Sequence, residues 1–124
     1  MIDATNLSSS TAITLDCSYS YDSGDIKLVI RWFHNDSPEP VYQWIPESNI
    51  RYVSELIRPY FDHNFTINND NYSKYRALRL NLLQPQRLSQ IQLLSGNYTC
   101  VISSIANQDS RQIQLIIYGL FFCC

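Results

Sequence analysis

Glycine is scarce in this 124-residue chain, with three residues, and methionine occurs once. Charge is thin as well: nine basic side chains stand against eleven acidic ones, for a formal net charge of −2. A chain with no basic surplus lacks the electrostatic footprint of a nucleic-acid binder. No apolar run is long enough to span a bilayer, and "LIIYGLFFCC" (115–124) ends too soon. The opening Met1-Ile2-Asp3-Ala4-Thr5-Asn6 has neither a basic start nor an apolar stretch, so no signal peptide is predicted. If the protein is extracellular, the chain is expected to be a piece of a larger one, with any membrane attachment supplied by segments outside it.

Catalytic constellations are missing too. His34 falls at a strand end and His63 in a loop, both expected as solvated surface residues. Neither has a nucleophile partner in a recognisable context. "NNDNYS" (68–73) carries oxygen donors without calcium-loop spacing or a closing glutamate, and reads as a turn. The four cysteines do not form the two close pairs of a zinc site. No catalytic residue, metal, cofactor or small-molecule substrate is expected.

What is present points to one β domain. Hydrophobic residues make up 45 % of the chain and aromatics 13 %, which excludes disorder. The length suits a single core. A sustained three-four period is absent; "ESNIRYVSELIRPYF" (47–61) comes closest, with one or two helical turns ended by Pro59. Elsewhere short alternating runs are separated by Asn, Asp, Ser, Gly and Pro clusters. Strands are expected over 12–19, 27–34, 41–45, around Phe65 and Ile67, and over 75–82, 96–103 and 112–118. About eight strands at this spacing suit a sandwich.

Cys17 and Cys100 each sit in an alternating run and are either buried free thiols or a disulfide, the latter being favoured. A disulfide implies an oxidising compartment. Asn-X-Ser/Thr triplets at Asn6, Asn64, Asn71 and Asn97 point the same way, whereas one at Asn35 is weakened by Pro38. Cys123 and Cys124 end the chain, either as acylation or cross-linking sites or as the end of an imperfect gene model.

The order Cys17, Trp32, then Tyr98-X-Cys100 in "SGNYTC" resembles an immunoglobulin domain of variable type. The resemblance covers 12–118, leaving 1–11 as an N-terminal segment or edge strand and 119–124 as an apolar tail. It implies an all-β, immunoglobulin-like antiparallel Greek-key sandwich with a Cys17–Cys100 inter-sheet bridge. Trp32 would pack on that bridge, Tyr98 would form a tyrosine corner, and Leu15, Ile30 and Leu80 would line the core. Two features depart from the pattern: Leu94 stands where an aspartate is usual, and 82–94 is longer than that connection normally is. The stretch "WFHNDSPEPVYQWIPE" further resembles arthropod neuronal cell-surface proteins of the beaten-path and sidestep kind.

"LVIRWFHNDSPEPVYQWI" (28–45) is apolar on both strand faces, which a half-buried strand should not be. With Leu28, Ile30, Trp32 and Ile45 inward, the outward set becomes Val29, Arg31, Phe33, Tyr42 and Trp44, joined by Val101 and Ile116. Such a patch fits a protein partner, and by resemblance another immunoglobulin-like cell-surface domain, identical or different. Gln43, placed inward by this parity, hints at a bulge. The alternatives are a soluble immune-type binder using its loops (21–25, 49–58, 104–111) and a purely structural module of a larger receptor.

Overall fold

The computed structural model describes residues 12–21, 27–82, 91–118 and 121–123. Within them lie eight strands: β1 (Ala12–Leu15), β2 (Val29–His34), β3 (Tyr42–Ile45), β4 (Ile50–Val53), β5 (Leu78–Asn81), β6 (Gly96–Ser103), β7 (Gln108–Tyr118) and β8 (Phe121–Cys123). They pair antiparallel into a two-stranded sheet, β1-β5, and a six-stranded sheet in the order β4-β3-β2-β6-β7-β8. Alternation drives both layers. Ile13, Leu15, Leu78 and Leu80 are buried from the small sheet, and Ile30, Trp32, Tyr98, Cys100 and Leu115 from the large one. These apolar sides form one core.

Cys17 and Cys100 are disulfide-bonded across that core, with Cα atoms 6.3 Å apart. Trp32 lies directly opposite Cys100 in the β2–β6 register, so the indole packs beside the bridge. Its Nε1–H donates to the Arg76 carbonyl at 2.8 Å, and the Arg76 guanidinium grips Asp16 at 2.8 and 3.0 Å. The Tyr98 hydroxyl donates to the Leu94 carbonyl, forming the expected corner, and Leu94 itself is fully buried. Trp32, Tyr98, Leu15, Ile30 and Leu80 are all buried.

Several boundaries differ. Ile50–Val53 is a strand rather than the first half of a helical turn. It alternates Ile50 and Tyr52 against Arg51 and Val53 and finds a partner in β3. Only the second half coils, with the Arg58 N–H on the Ser54 carbonyl and the Phe61 N–H on the Ile57 carbonyl, both at 3.0 Å. Phe65 and Ile67 form no strand, because the Ile67 N–H closes a turn onto the Lys74 carbonyl at 2.9 Å. Phe61 makes the bridge to β5 instead, opposite Leu80. β7 begins at Gln108, four residues earlier than expected, since its polar start still finds ladder partners on β6. Residues 1–11 and 83–90 lie outside the described residues; Phe121–Cys123 pairs with the end of β7.

The largest correction concerns β3. Tyr42 and Trp44 are fully buried, not outward, while Gln43 and Ile45 take the outer side. Val41 is buried as well, so two successive inward residues break the alternation where the chain enters β3. The ladder then sets Trp44 opposite Ile30 and Tyr42 opposite Trp32. Each ring tip has a partner, as buried amphipathic rings require. Tyr42 donates to the Tyr75 carbonyl at 2.7 Å, and Trp44 Nε1–H donates to Asn49 Oδ1 at 3.0 Å. Tyr75 meets the indole edge-on at 5.6 Å, and Phe61 covers Tyr42 at 5.0 Å.

The turn end of β2 is clipped to β6. Asn35, at φ +54°, donates its N–H to the Asn97 carbonyl at 2.7 Å, and its Oδ1 accepts the Asn97 N–H at 3.0 Å. His34 is not merely solvated, since its Nε2 lies 2.8 Å from the Ser95 carbonyl and its ring 4.9 Å from that of Tyr98. Gly96, at φ +142°, makes this approach possible: a Cβ there would stand 2.3 Å from Asn35 Oδ1.

Three outcomes are expected. The bridge closes a separation of 83 residues, so Cys17→Ala/Cys100→Ala should lower stability by about 4–5 kcal/mol in the chain-entropy picture, read from denaturant unfolding. Gly96→Ala should cost about 1–3 kcal/mol by the same measurement, from backbone strain and the clash together. Burial pushes the Tyr42 hydroxyl up to about 12, against the opposing pull of Arg51, from an ordinary value near 10. Because the folded value is the higher, this contribution is intact below pH 10 and lost as pH rises toward 12. Denaturant midpoints measured from pH 8 upward should fall across that window, less steeply in Tyr42→Phe.

Candidate partner-binding face

With Ile30, Trp32, Tyr42, Trp44, Tyr98 and Cys100 turned inward, the outer side of the large sheet is fixed residue by residue. Its central row runs Val101 on β6, Arg31 on β2, Gln43 on β3 and Tyr52 on β4. One row nearer the β3–β4 turn, Ser103 pairs with Val29 and Ile45 with Ile50. One row nearer the clipped end, Gln112 pairs with Thr99 and Thr99 with Phe33. Arg31 Nε–H donates to Gln43 Oε1 at 2.7 Å, so the one cation in the middle of the face is held flat across two strands.

The face is graded. Its β7 side presents Ser110, Gln112 and Gln114, all exposed. Its β4 side presents Ile50 and Tyr52, at 60 % and 46 % exposure, with half-buried Ile45 beside Ile50. Ile50 and Tyr52 exceed what a half-buried strand position leaves uncovered, because β4 is the edge strand.

Of the residues singled out in the sequence, Val29, Arg31, Phe33, Val101 and Ile116 lie on this face, and Tyr42 and Trp44 do not. Ile45, Ile50 and Tyr52 were missed. A signal for them existed: polar Gln43 between two aromatic rings marks the outer parity of β3, and "IRYV" alternates once read as a strand. Asn64, Asn71 and Asn97 are exposed, while Asn6 lies outside the described residues.

At the other candidate surface, the loop end, residues 22–25 lie outside the described residues, and the 104–111 loop is short. The β6–β7 ladder reaches Ser103 and Gln108, and Ser104 N–H donates to the Asn107 carbonyl at 2.8 Å, leaving a short turn with Ile105 at its tip. Within residues 49–58, Ile50–Val53 form β4 and the segment after it coils. Tyr19, Tyr21 and Tyr72 cluster nearby, with centroids 6.5 and 5.5 Å apart. Their hydroxyls are engaged: Tyr19 donates to the Tyr72 carbonyl and Tyr21 to the Asp70 carboxylate at 2.8 and 2.9 Å. The Tyr21 and Ser73 hydroxyls hold the Asp70 carboxyl below its ordinary range. The cluster is a strap between the end of the Cys17 segment and the 68–74 turn.

No protein-family model and no curated protein matches the chain. Solved structures do. An amphioxus IgVJ-C2 molecule aligns over 86 % of this chain with a TM-score of 0.53 and 19 % identity; the chain spans 51 % of its length. A voltage-gated sodium channel β-subunit structure, studied for multimeric cell-adhesive interactions, aligns over 88 % of this chain and 85 % of its own, with a TM-score of 0.55 and 20 % identity. The extracellular domain of the sodium channel β4 subunit, solved as parallel homodimers, aligns over 86 % of this chain and 81 % of its own, with a TM-score of 0.51 and 21 % identity. At such identities the likeness speaks to architecture: this chain is an all-β, immunoglobulin-like sandwich with one bridge joining its sheets.

Proposed function

We propose that the chain is an extracellular, variable-type recognition domain. Its outer sheet face docks onto another immunoglobulin-like surface domain in cell adhesion or receptor pairing. The observation that carries this reading is the joint exposure of Ile50 and Tyr52 on the edge strand, contiguous with Ile45. Exposed apolar patches on a folded surface mark contact sites, and tyrosine is a frequent binding anchor. β3 and β4, which extend the large sheet beyond β2, support the variable type. The bridge and the exposed sequons support an oxidising, glycosylating compartment. The adhesive and homodimeric character of the sodium channel subunits supports a partner of like fold. A closer kinship with beaten-path and sidestep proteins rests on "WFHNDSPEPVYQWIPE" alone.

The loop-based reading has Ile105 as its one apolar tip on the β6–β7 turn. Beads coated with the chain, and with a panel of secreted immunoglobulin-like domains, separate the two. Tyr52→Ala should cost about 2 kcal/mol in capture, roughly thirtyfold in affinity, with an unchanged thermal midpoint. Ile50→Asp should abolish capture, and Ile105→Ser should leave it intact. Capture that survives Ile50→Asp/Tyr52→Ala but is lost in Ile105→Ser would sink the sheet-face reading.

A further inference from the structure

Asn97 stands inside the docking face. It opens the triplet Asn97-Tyr98-Thr99, and because Tyr98 and Cys100 are fully buried, Asn97 and Thr99 point to the outer side of β6. Its cross-strand partner on β7 is Gln114, and Thr99 lies directly opposite Phe33. Asn97 is therefore the diagonal neighbour of Phe33, about 7–8 Å away. The clip to Asn35 fixes the Asn97 backbone through two hydrogen bonds while the residue stays exposed. Asn64 and Asn71 belong to the β4–β5 connection rather than to a strand of the face, and Asn71 lines a hollow with Pro46, Glu47 and Asn49 of the β3–β4 turn. Asn35, whose triplet is weakened by Pro38, turns its Oδ1 to the Asn97 N–H.

We infer that Asn97 carries an N-linked glycan that covers the Phe33 end of the face and confines docking to the Ile45–Ile50–Tyr52 corner. In the attaching step the Asn97 amide nitrogen bonds to the anomeric carbon of a lipid-pyrophosphate-linked oligosaccharide. The carbon–oxygen bond to the pyrophosphate breaks, and the amide gives up one proton. Geometry makes the coverage one-sided. From Asn97, Tyr52 lies four residues along the strands and three strands across, about 20 Å away at ordinary strand rise and spacing. A sugar rooted at Asn97 meets Phe33 first and the β4 edge last. Only this consequence for docking rests on the proposed function; the modification and its coverage of Phe33 do not.

The test uses the chain secreted from a eukaryotic host. Glycopeptide mass spectrometry should find Asn97 occupied. Hydroxyl-radical labelling of the monomer should show Phe33 protected, its labelling rising several-fold once glycans are removed enzymatically, with Tyr52 unchanged. An unoccupied Asn97, or Phe33 labelling indifferent to glycan removal, would overturn the inference. Partner capture adds the functional half: Phe33→Ala should weaken it in N97Q and leave the glycosylated chain unaffected. If Ile50→Asp/Tyr52→Ala spares capture while Phe33 protection persists, the docking reading fails and the glycan assignment stands.

Discussion

Trp44 sits opposite Ile30 and Tyr42 opposite Trp32, so β3 enters the sheet with its two largest rings inward. A one-residue slip would turn both rings to water and bring Gln43 and Ile45 into the core. The comparison is lopsided. Each aromatic ring removes about 150–250 Å² from water, whereas an inward Gln43 would need a buried partner for its amide. The observed register also gives each ring a polar partner: Tyr42 reaches the Tyr75 carbonyl and Trp44 reaches Asn49. The 54–61 segment and Tyr75 then close over the rings, with Ile57 fully buried and Tyr60 and Phe61 nearly so. β4 follows β3 in register, which is why Ile50 and Tyr52 end up outside.

The second constraint is covalent. Cys17–Cys100 joins the two sheets next to Trp32, whose indole donor is anchored by Arg76, itself paired with Asp16 beside Cys17. This chain of contacts returns to its start, so bridge, indole and ion pair fix one another's positions. Arg76 gains from it as well: the Asp16 hydrogen bond holds its guanidinium more firmly protonated than usual. Tyr98, two residues from the bridge, pins the Leu94 carbonyl, and Asn35 and Gly96 clip β2 to β6 on the far side of the same corner. β6, the strand all of these share, is the rigid spine on which the outer face is laid.

The core was legible in the sequence because its markers are far apart and mutually constraining. Cys17, Trp32, Tyr98 and Cys100 leave little choice of architecture, and Gly96–Ser103 was read to its observed ends. The site was not, for two physical reasons. In "VYQWI" every residue but Gln43 is apolar or aromatic, so parity rests on one polar residue. The buried pair Val41 and Tyr42 then offsets the count. In "NIRYVSEL" the apolar positions fit a helical period and a strand equally well, and only the neighbouring β3 edge decides between them. β8 was invisible for a related reason, since a short apolar tail says nothing of the strand it will pair with.

The grading of the outer face bears on how tightly it could hold a partner. Its exposed apolar surface is concentrated on Ile50 and Tyr52, while the β7 side is serine and glutamine and the central Arg31 is already engaged by Gln43. A stable interface of ordinary size draws about 800 Å² from each partner around an apolar centre. Here the apolar centre sits at a corner, and the rest of the footprint would be polar and wet. Such a surface suits a weak contact rather than a permanent one. Weak contacts become effective where many copies face one another, because tethering raises the effective concentration of each further contact. Under the proposed docking, a corner anchor on a rigid spine, displayed in number, would hold through multiplicity and release one domain at a time.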